Sequence, residues 1–208
     1  MSGGTIKGCK PLSDQEIEAL KRQLAGQAGG RDLALFMLGI TTGFRISELL
    51  SLRIGDVAAG TDLHEWITVR RRHMKGKHEG RSMPLHPQAR RPVAAWVRRL
   101  RERGYGDDVP LFVSRKRGPG GRPRSITSTQ AGRMIHRACR LAGIDGPTGT
   151  HSMRKTIARR VADATDDNIF RVQKVLGHRN VNSTLAYMRS MARDEIEDLT
   201  GGLHFGDG

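Results

Sequence analysis

A stripe of apolar residues with the period of an α-helix places the strongest constraint on how this chain folds. The stripe falls at i, i+3, i+4 and i+7 and is widened by two leucines: Leu33, Phe36, Met37 and Ile40, with Leu35 and Leu38. An apolar face this wide must be covered by other elements, so the pattern predicts a buried helix. Gly43 breaks this helix, and a new helix is predicted to open near Arg45.

Other helices are predicted on the same grounds. Ser13 and Glu16 have the spacing of a capping box, which marks a helix start. Apolar residues recur at helical spacing over 93–100 and over 134–142, with Gly143 as the expected C-cap of the second pattern. Three more helices are expected: one from about His151, one ending near Leu176-Gly177, and one carrying Tyr187, with Leu185 and Met188 toward the core and Asn182 or Ser183 as N-cap.

The helical spacing of the apolar residues is lost between residues 54 and 85. Residues 66–71 are β-prone, and residues 81–85 are expected to return beside them through a polar, glycine-containing connection. The predicted fold is therefore mainly α with a small antiparallel β-sheet, an α+β class.

Charge indicates the kind of partner. The chain has 36 Lys and Arg against 21 Asp and Glu, a net charge of +15. Such an excess of positive charge favours binding to a polyanion, because each phosphate that the protein neutralises releases condensed counterions. Arginine is the commoner basic residue, which suits forked contacts with phosphate groups.

Several protein classes are excluded by composition. No segment approaches the roughly 18 consecutive apolar residues of a membrane helix, and the N-terminus lacks the apolar region of a secretion signal. Cys9 and Cys139 lack the spacing of a zinc site or a disulfide framework, and Cys139 is expected to be a small core residue. We expect a cytoplasmic, nucleic-acid-associated protein without a membrane segment.

Five polar residues in a fixed order indicate the chemistry. His151 and Arg154 stand three apart, His178 follows a Leu-Gly pair, Tyr187 comes last, and Arg45 precedes them all. Arginines fork donors onto a phosphate, histidine moves protons near neutral pH, and a tyrosine hydroxyl can become a covalent nucleophile. Together these residues suit attack on a phosphodiester.

In this order the residues resemble the catalytic domain of the tyrosine recombinases, the phage-integrase family of DNA strand-transfer enzymes. The resemblance extends from about Lys10 to Met191 and implies that catalytic-domain fold. It implies one catalytic domain over residues 1–208, with a core at 10–191 and a C-terminal tail at 192–208. Most relatives have a further N-terminal domain, so the chain is either a fragment or similar to compact members such as the fimbrial inversion-switch group.

The resemblance assigns a role to each residue. Arg45 and Arg154 hold the scissile phosphate, His151 assists proton transfer, His178 donates a hydrogen bond to the phosphate, and Tyr187 attacks it.

The same resemblance also implies supporting residues. Glu48 orients Arg45. A lysine in the β-hairpin turn protonates the departing 5′ oxygen; Lys75 aligns best with the family pattern, while Lys77, otherwise a DNA contact, stays open as the alternative. Lys155 departs from the pattern, since many relatives have histidine after the second arginine.

Residues 114–124 form a basic segment rich in glycine and proline, which we interpret as a mobile loop that either settles on DNA or is a solvated linker. Its candidate DNA contacts are Arg115, Lys116, Arg117, Arg122 and Arg124.

The implied reaction is conservative strand exchange on double-stranded DNA through a 3′-phosphotyrosyl intermediate and a Holliday junction. A homotetramer on DNA is expected, with a monomer or weak oligomer when free. Neither cofactor nor metal is implied, and Asp163, Asp166 and Asp167 read as a helix end rather than a Mg²⁺ site. Two alternatives remain: a non-catalytic DNA-binding regulator and a type IB topoisomerase.

Overall fold

The computed structural model describes residues 8–26, 30–70 and 80–192. Within these ranges it contains eight α-helices: α1 (Asp14–Ala25), α2 (Arg31–Thr42), α3 (Ile46–Ser51), α4 (Pro87–Glu102), α5 (Ser128–Leu141), α6 (Thr150–Asp163), α7 (Ile169–Leu176) and α8 (Val181–Ala192). It also contains four short strands: β1 (Ala58–Ala59), β2 (Asp62–Leu63), β3 (Trp66–Val69) and β4 (Arg81–Pro84).

Helix α2 is the centre of the main core, as its apolar stripe predicts. Leu35, Phe36 and Leu38 are fully buried, and the helix packs against α1, α3, α4 and α6. Burying one such side chain contributes about 1.5–3 kcal/mol. The prediction of a buried helix ending at Gly43 is confirmed.

The β structure consists of two separate antiparallel pairs rather than one sheet. Strands β3 and β4 form the predicted hairpin, with Trp66 opposite Pro84 and Val69 opposite Arg81. The pair formed by β1 and β2 has only two residues on each side and was not predicted. The predicted α+β class is confirmed.

A second, smaller core lies at the C-terminal end of helix α6. Its buried residues come from α6 and α7, and Tyr187 and Met188 of α8 pack against them: Ala158, Ala162, Val172 and Leu176. Met153, near the start of α6, belongs to the main core. Helix α6 therefore connects the two cores.

Residues 114–124 form a loop with little regular structure, as their glycine and proline content predicts, and backbone hydrogen bonds close it. The backbone N–H of Ser114 donates to the carbonyl of Arg124 (2.8 Å), and that of Gly118 donates to the carbonyl of Arg122 (2.8 Å). A short 3-10 turn at Pro119–Gly121 closes this ladder. Glycine and proline, which oppose helices and strands, are also the residues that form tight turns.

Some local expectations are corrected. Leu141 is 50% exposed and Leu185 is 38% exposed, so neither faces the core. Helix α8 begins at Val181, and the Asn180 side chain accepts the N–H of Asn182, which places the start earlier than expected.

The other predicted helices are confirmed. Ser13 and Glu16 form the expected capping box of α1. Cys139 is buried, as expected of a core residue. Helix α6 ends at Asp163 and Asn168 caps α7, as expected for the aspartate-rich connection. In the part of the chain that the structure describes, no helix combines the length and hydropathy that crossing a membrane requires.

The contact between α2 and α6 generates a stability prediction. A Cβ added to Gly39 would lie 2.5 Å from the Met153 Sδ atom and 3.3 Å from its Cβ. We therefore expect Gly39→Ala to lower the free energy of unfolding by about 1–3 kcal/mol through overpacking, measured by urea denaturation. In a Met153→Ala background, where the clashing side chain is absent, Gly39→Ala should cost less than in wild type.

Gly132 of α5 provides the matched control, because a Cβ there would have no neighbour within 4 Å. Gly132→Ala should raise stability by about 0.5–1 kcal/mol, the usual gain in a helix interior. A stabilising Gly39→Ala would contradict the close approach of α2 and α6.

Candidate active site

The candidate site lies where the C-terminal ends of α2 and α7 converge. Each helix ends in a glycine with left-handed backbone, Gly43 (φ +62°) after α2 and Gly177 (φ +60°) after α7. A helix end leaves several carbonyl oxygens without partners inside the helix, and these oxygens attract positive charge. At Gly43 a Cβ would also lie 2.9 Å from the Ile157 Cγ2 atom, so the chain has no room there for a side chain.

Arg154 of α6 connects these two helix ends. One of its terminal nitrogens donates to the Gly43 carbonyl, and the other donates to the Leu176 carbonyl at 2.7 Å. The side chain is buried. Burial lowers the pKa of Arg154 to about 10, and the charge of Arg45 acts in the same direction.

Arg81 of β4 lies beside Arg154 and was not among the sequence candidates. It donates to the Thr42 carbonyl at 2.8 Å, to the Gly43 carbonyl at 3.4 Å and to the Val175 carbonyl. Burial, and then the charge of Arg154, lower its pKa to about 10. The sequence did contain a signal for a buried Arg81. Side chains alternate along a strand, so Arg81 shares a face with the apolar residues at positions 83 and 85.

Arg45 and Glu48 form the expected pair at the start of α3. Glu48 accepts the Arg45 backbone N–H at 2.8 Å and its guanidinium at 3.1 Å. The Glu48 side chain is 3% exposed, whereas that of Arg45 is 43% exposed. Glu48 also lies 3.7 Å from Arg81. One buried carboxylate thus contacts two arginines, and the Arg45 side chain still reaches solvent.

Tyr187 and His178 lie together on the α7–α8 side. Their rings meet edge to face with centroids 5.8 Å apart. The His178 Nδ1 atom lies 3.0 Å from the hydroxyl of the buried Thr184, so the Nε2 atom is directed away from Thr184. Burial raises the pKa of Tyr187, and the charges of Arg154 and Arg45 lower it less than burial raises it.

Lys155, which departs from the family pattern, also contacts the tyrosine. Its side chain is buried, and its Nζ atom lies 5.9 Å from the centre of the Tyr187 ring. The position after Arg154 therefore places a further positive charge beside this phenol.

His151 and Arg154 belong to the same helix but differ in burial, since only Arg154 is buried. His151 lies exposed in the first turn of α6, at one end of an open groove of about 710 Å³ between α5 and α6. Helix α5 lines this groove with exposed basic residues at i, i+3, i+4 and i+7: Arg133, His136, Arg137 and Arg140. Sequence reasoning missed this stripe, although its helical spacing was visible beside the apolar one.

The remaining candidates fall into two groups. Lys75 and Lys77 lie outside the described residues. Arg115 and Arg117 line a different cavity of about 440 Å³, together with Arg31 and Arg103. Lys116, Arg122 and Arg124 are exposed on the same turn. Within the described ranges, no three His, Cys, Asp or Glu side chains gather as a metal site requires.

Comparison with known proteins identifies the family. The model of the phage integrase family matches residues 10–193. The chain belongs to this family. The type 1 fimbriae regulatory protein FimE of Escherichia coli K12 is 32% identical over 183 residues, covering 87% of this chain and 86% of FimE. Tyrosine recombinase XerC of Ralstonia pickettii is 29% identical over 189 residues, covering 86% of this chain and 56% of XerC.

Solved structures share the fold. XerA recombinase superposes with a TM-score of 0.70 at 23% identity, covering 95% of this chain and 67% of XerA. XerH site-specific recombinase, solved bound to its palindromic difH substrate, gives a TM-score of 0.69 at 21% identity, covering 94% of this chain and 54% of that chain. This family member is a tyrosine site-specific recombinase, as the resemblance implied.

The environment of Tyr187 generates a titration prediction. Burial disfavours the phenolate, so the pKa rises and the group stays neutral to higher pH. In DNA-free protein we expect no tyrosinate absorbance from Tyr187 at pH about 10, where an unperturbed phenol is half ionised. The difference between the ultraviolet titrations of wild type and Tyr187→Phe isolates this hydroxyl. A midpoint at or below that pH would contradict the assignment.

Proposed function

We propose that this recombinase cuts and rejoins double-stranded DNA through a covalent bond between Tyr187 and a 3′ phosphate. One observation supports the proposal above the others: Arg154 binds the carbonyl ends of both α2 and α7, which lead to Arg45 and to His178, and the His178 ring contacts that of Tyr187. Positive charge beside a phenol is what phosphate attack requires.

The two arginines differ in their tasks. Arg154 is fixed by two backbone carbonyls and directs its remaining N–H donors to the phosphate. Arg45 has an exposed guanidinium whose position Glu48 fixes, so it approaches the phosphate from the solvent side. As the pentacovalent phosphorane gains negative charge, both side chains stabilise it without moving.

Proton transfer accompanies the attack. The Tyr187 oxygen bonds to phosphorus, and the bond between phosphorus and the 5′ oxygen breaks. Because the raised pKa keeps Tyr187 protonated, and an incoming phosphate adds negative charge beside it, a general base must remove the proton. We assign this role to His151. His178 donates from Nε2 to the phosphate, and Lys75, or alternatively Lys77, protonates the leaving oxygen.

Rejoining reverses these steps with a second strand. The 5′ hydroxyl of a partner strand attacks the phosphotyrosine, and two rounds pass through a Holliday junction. The phosphotyrosine conserves the bond energy, so we propose no nucleotide cofactor. Two duplexes and four strands require a homotetramer on DNA, while the free protein is a monomer or weak oligomer. Residues 10–191 form the catalytic unit in this proposal, and residues 193–208 of the tail lie outside the described residues.

The duplex is proposed to follow the groove between α5 and α6. Arg133, Arg137 and Arg140 line this groove together with His151. Three arginines on one helix face suit successive phosphates of a backbone. The basic turn at 115–124 contacts DNA further along the duplex. Since the substrate is DNA, we place the protein at the bacterial nucleoid, in line with its bacterial relatives.

The nucleophile assignment is tested with a nicked suicide substrate made from the native flanking DNA. Tyr187→Phe should form no covalent adduct on a denaturing gel yet bind DNA as wild type does, because only the attacking oxygen is removed. Arg154→Ala and Arg45→Ala should also lose cleavage, through about 3 kcal/mol or more of lost charge stabilisation.

Two controls accompany this experiment. Wild type should cleave in excess EDTA, since arginine charges carry out the stabilisation in this mechanism. An adduct with Tyr187→Phe would refute the nucleophile, and strict dependence on Mg²⁺ would refute the chemistry.

The DNA path is tested by the salt dependence of binding. The log–log slope for wild type should have a magnitude of about 5 or greater. Replacing Arg133, Arg137 and Arg140 together by Gln should reduce it by about 0.9 for each phosphate that the variant no longer neutralises. The control removes the same number of exposed charges from α4, through Arg91→Gln, Arg98→Gln and Arg99→Gln. Equal slopes for the two triple variants would refute the proposed path.

The basic turn is tested in the same assay. Arg115→Gln with Arg117→Gln should flatten the slope relative to wild type if this turn contacts phosphates. An unchanged slope would remove the turn from the interface.

A further inference from the structure

We propose that Arg81 is a positioning residue of the recombinase site, which holds Arg154 and the ends of α2 and α7 in the arrangement that cleavage requires. The inference rests on the proposed role of Arg154. It extends the site by a residue of the β3–β4 hairpin that has no assigned role.

Arg81 and Arg154 make parallel connections between the same two helix ends. Arg154 joins the Gly43 carbonyl to that of Leu176. Arg81 joins the adjacent carbonyls of Thr42 and Val175, and it shares the Gly43 carbonyl with Arg154. The two guanidiniums thus meet at one acceptor, the Gly43 carbonyl. The pair therefore fixes the distance between the α2 end, which leads to Arg45, and the α7 end, which leads to His178.

Packing fixes the Arg81 side chain itself. It is 8% exposed, and its guanidinium carbon lies 4.8 Å from the centre of the Phe44 ring. Phe44 stands between Gly43 and Arg45, so this contact also fixes the segment that carries Arg45. The Glu48 carboxylate lies 3.7 Å from Arg81 and accepts from Arg45.

The charge arrangement argues against a purely structural role. The buried carboxylate of Glu48 contacts both Arg45 and Arg81, and the charge of the neighbouring Arg154 lowers the pKa of Arg81. An apolar side chain at this inward position of β4 would avoid that repulsion. The clustered positive charge is instead balanced when the phosphorane forms and gains negative charge beside it.

The test compares a phosphodiester with a methylphosphonate at the scissile position. The methyl group replaces a charged oxygen, so the neutral centre depends less on arginine charge. On the phosphodiester, Arg81→Gln should cleave about 100-fold more slowly than wild type, the usual effect of losing one preorganised electrostatic group. On the methylphosphonate, Arg81→Gln and Arg154→Ala should both recover toward the wild-type rate. A loss caused by damaged folding would affect both substrates equally.

Two further variants complete the design. Arg81→Lys keeps the charge but lacks the fork that reaches both helix ends, so it should also cleave slowly on the phosphodiester. Arg70→Gln is the matched control: it lies just after β3, is exposed and pairs with Asp56, and it should cleave at the wild-type rate. Rates are normalised to the folded fraction measured by circular dichroism.

The outcomes separate this inference from the proposed function. A wild-type rate for Arg81→Gln or Arg81→Lys on the phosphodiester overturns the inference, as does loss of folding in both variants or a defect of equal size on both substrates. If Arg154→Ala cleaves normally, the proposed function itself fails. If Arg154→Ala and Tyr187→Phe are inactive while the Arg81 variants are active, only the positioning role fails.

Discussion

The bonding of two buried arginines to the carbonyl ends of two helices is the interaction on which the rest of the site depends. Helices α2 and α7 both point their C-terminal carbonyls at one place, where Arg81 and Arg154 satisfy them. These carbonyls carry partial negative charge, which offsets part of the cost of burying a guanidinium. Arg45 follows the end of α2 closely, and His178 follows the end of α7 directly. This contact therefore positions both residues.

Burial gives the site two opposed properties. It holds the arginine side chains in place before the substrate binds, and this preorganisation makes charge stabilisation efficient. It also raises the pKa of Tyr187, so the hydroxyl that we propose as the nucleophile stays neutral to higher pH. The charges of Arg154 and Arg45 act in the opposite direction, which limits how far burial can raise that pKa.

Local patterns predicted most of the fold, because helix stripes, caps and a hairpin depend on neighbouring residues. The order of Arg45, Arg154, His178 and Tyr187 along the chain was likewise sufficient to indicate a common site. Arg81 was missed because its partners are backbone carbonyls, which no side-chain pattern reveals. The exposure of Leu141 and Leu185 was missed for a related reason: tertiary packing decides which edge of an apolar stripe is covered.

Gly43 has a consequence for how this chain tolerates mutation. Its left-handed backbone and the nearby Ile157 methyl group leave no space for any side chain, while its carbonyl accepts from both buried arginines. In a library that samples every amino acid at each position, this site should retain glycine alone. Arg45, two residues later, is 43% exposed and is not confined by a neighbouring atom in this way, so its retention would report selection for its charge. Two neighbouring positions would thus record distinct pressures, one steric and one catalytic.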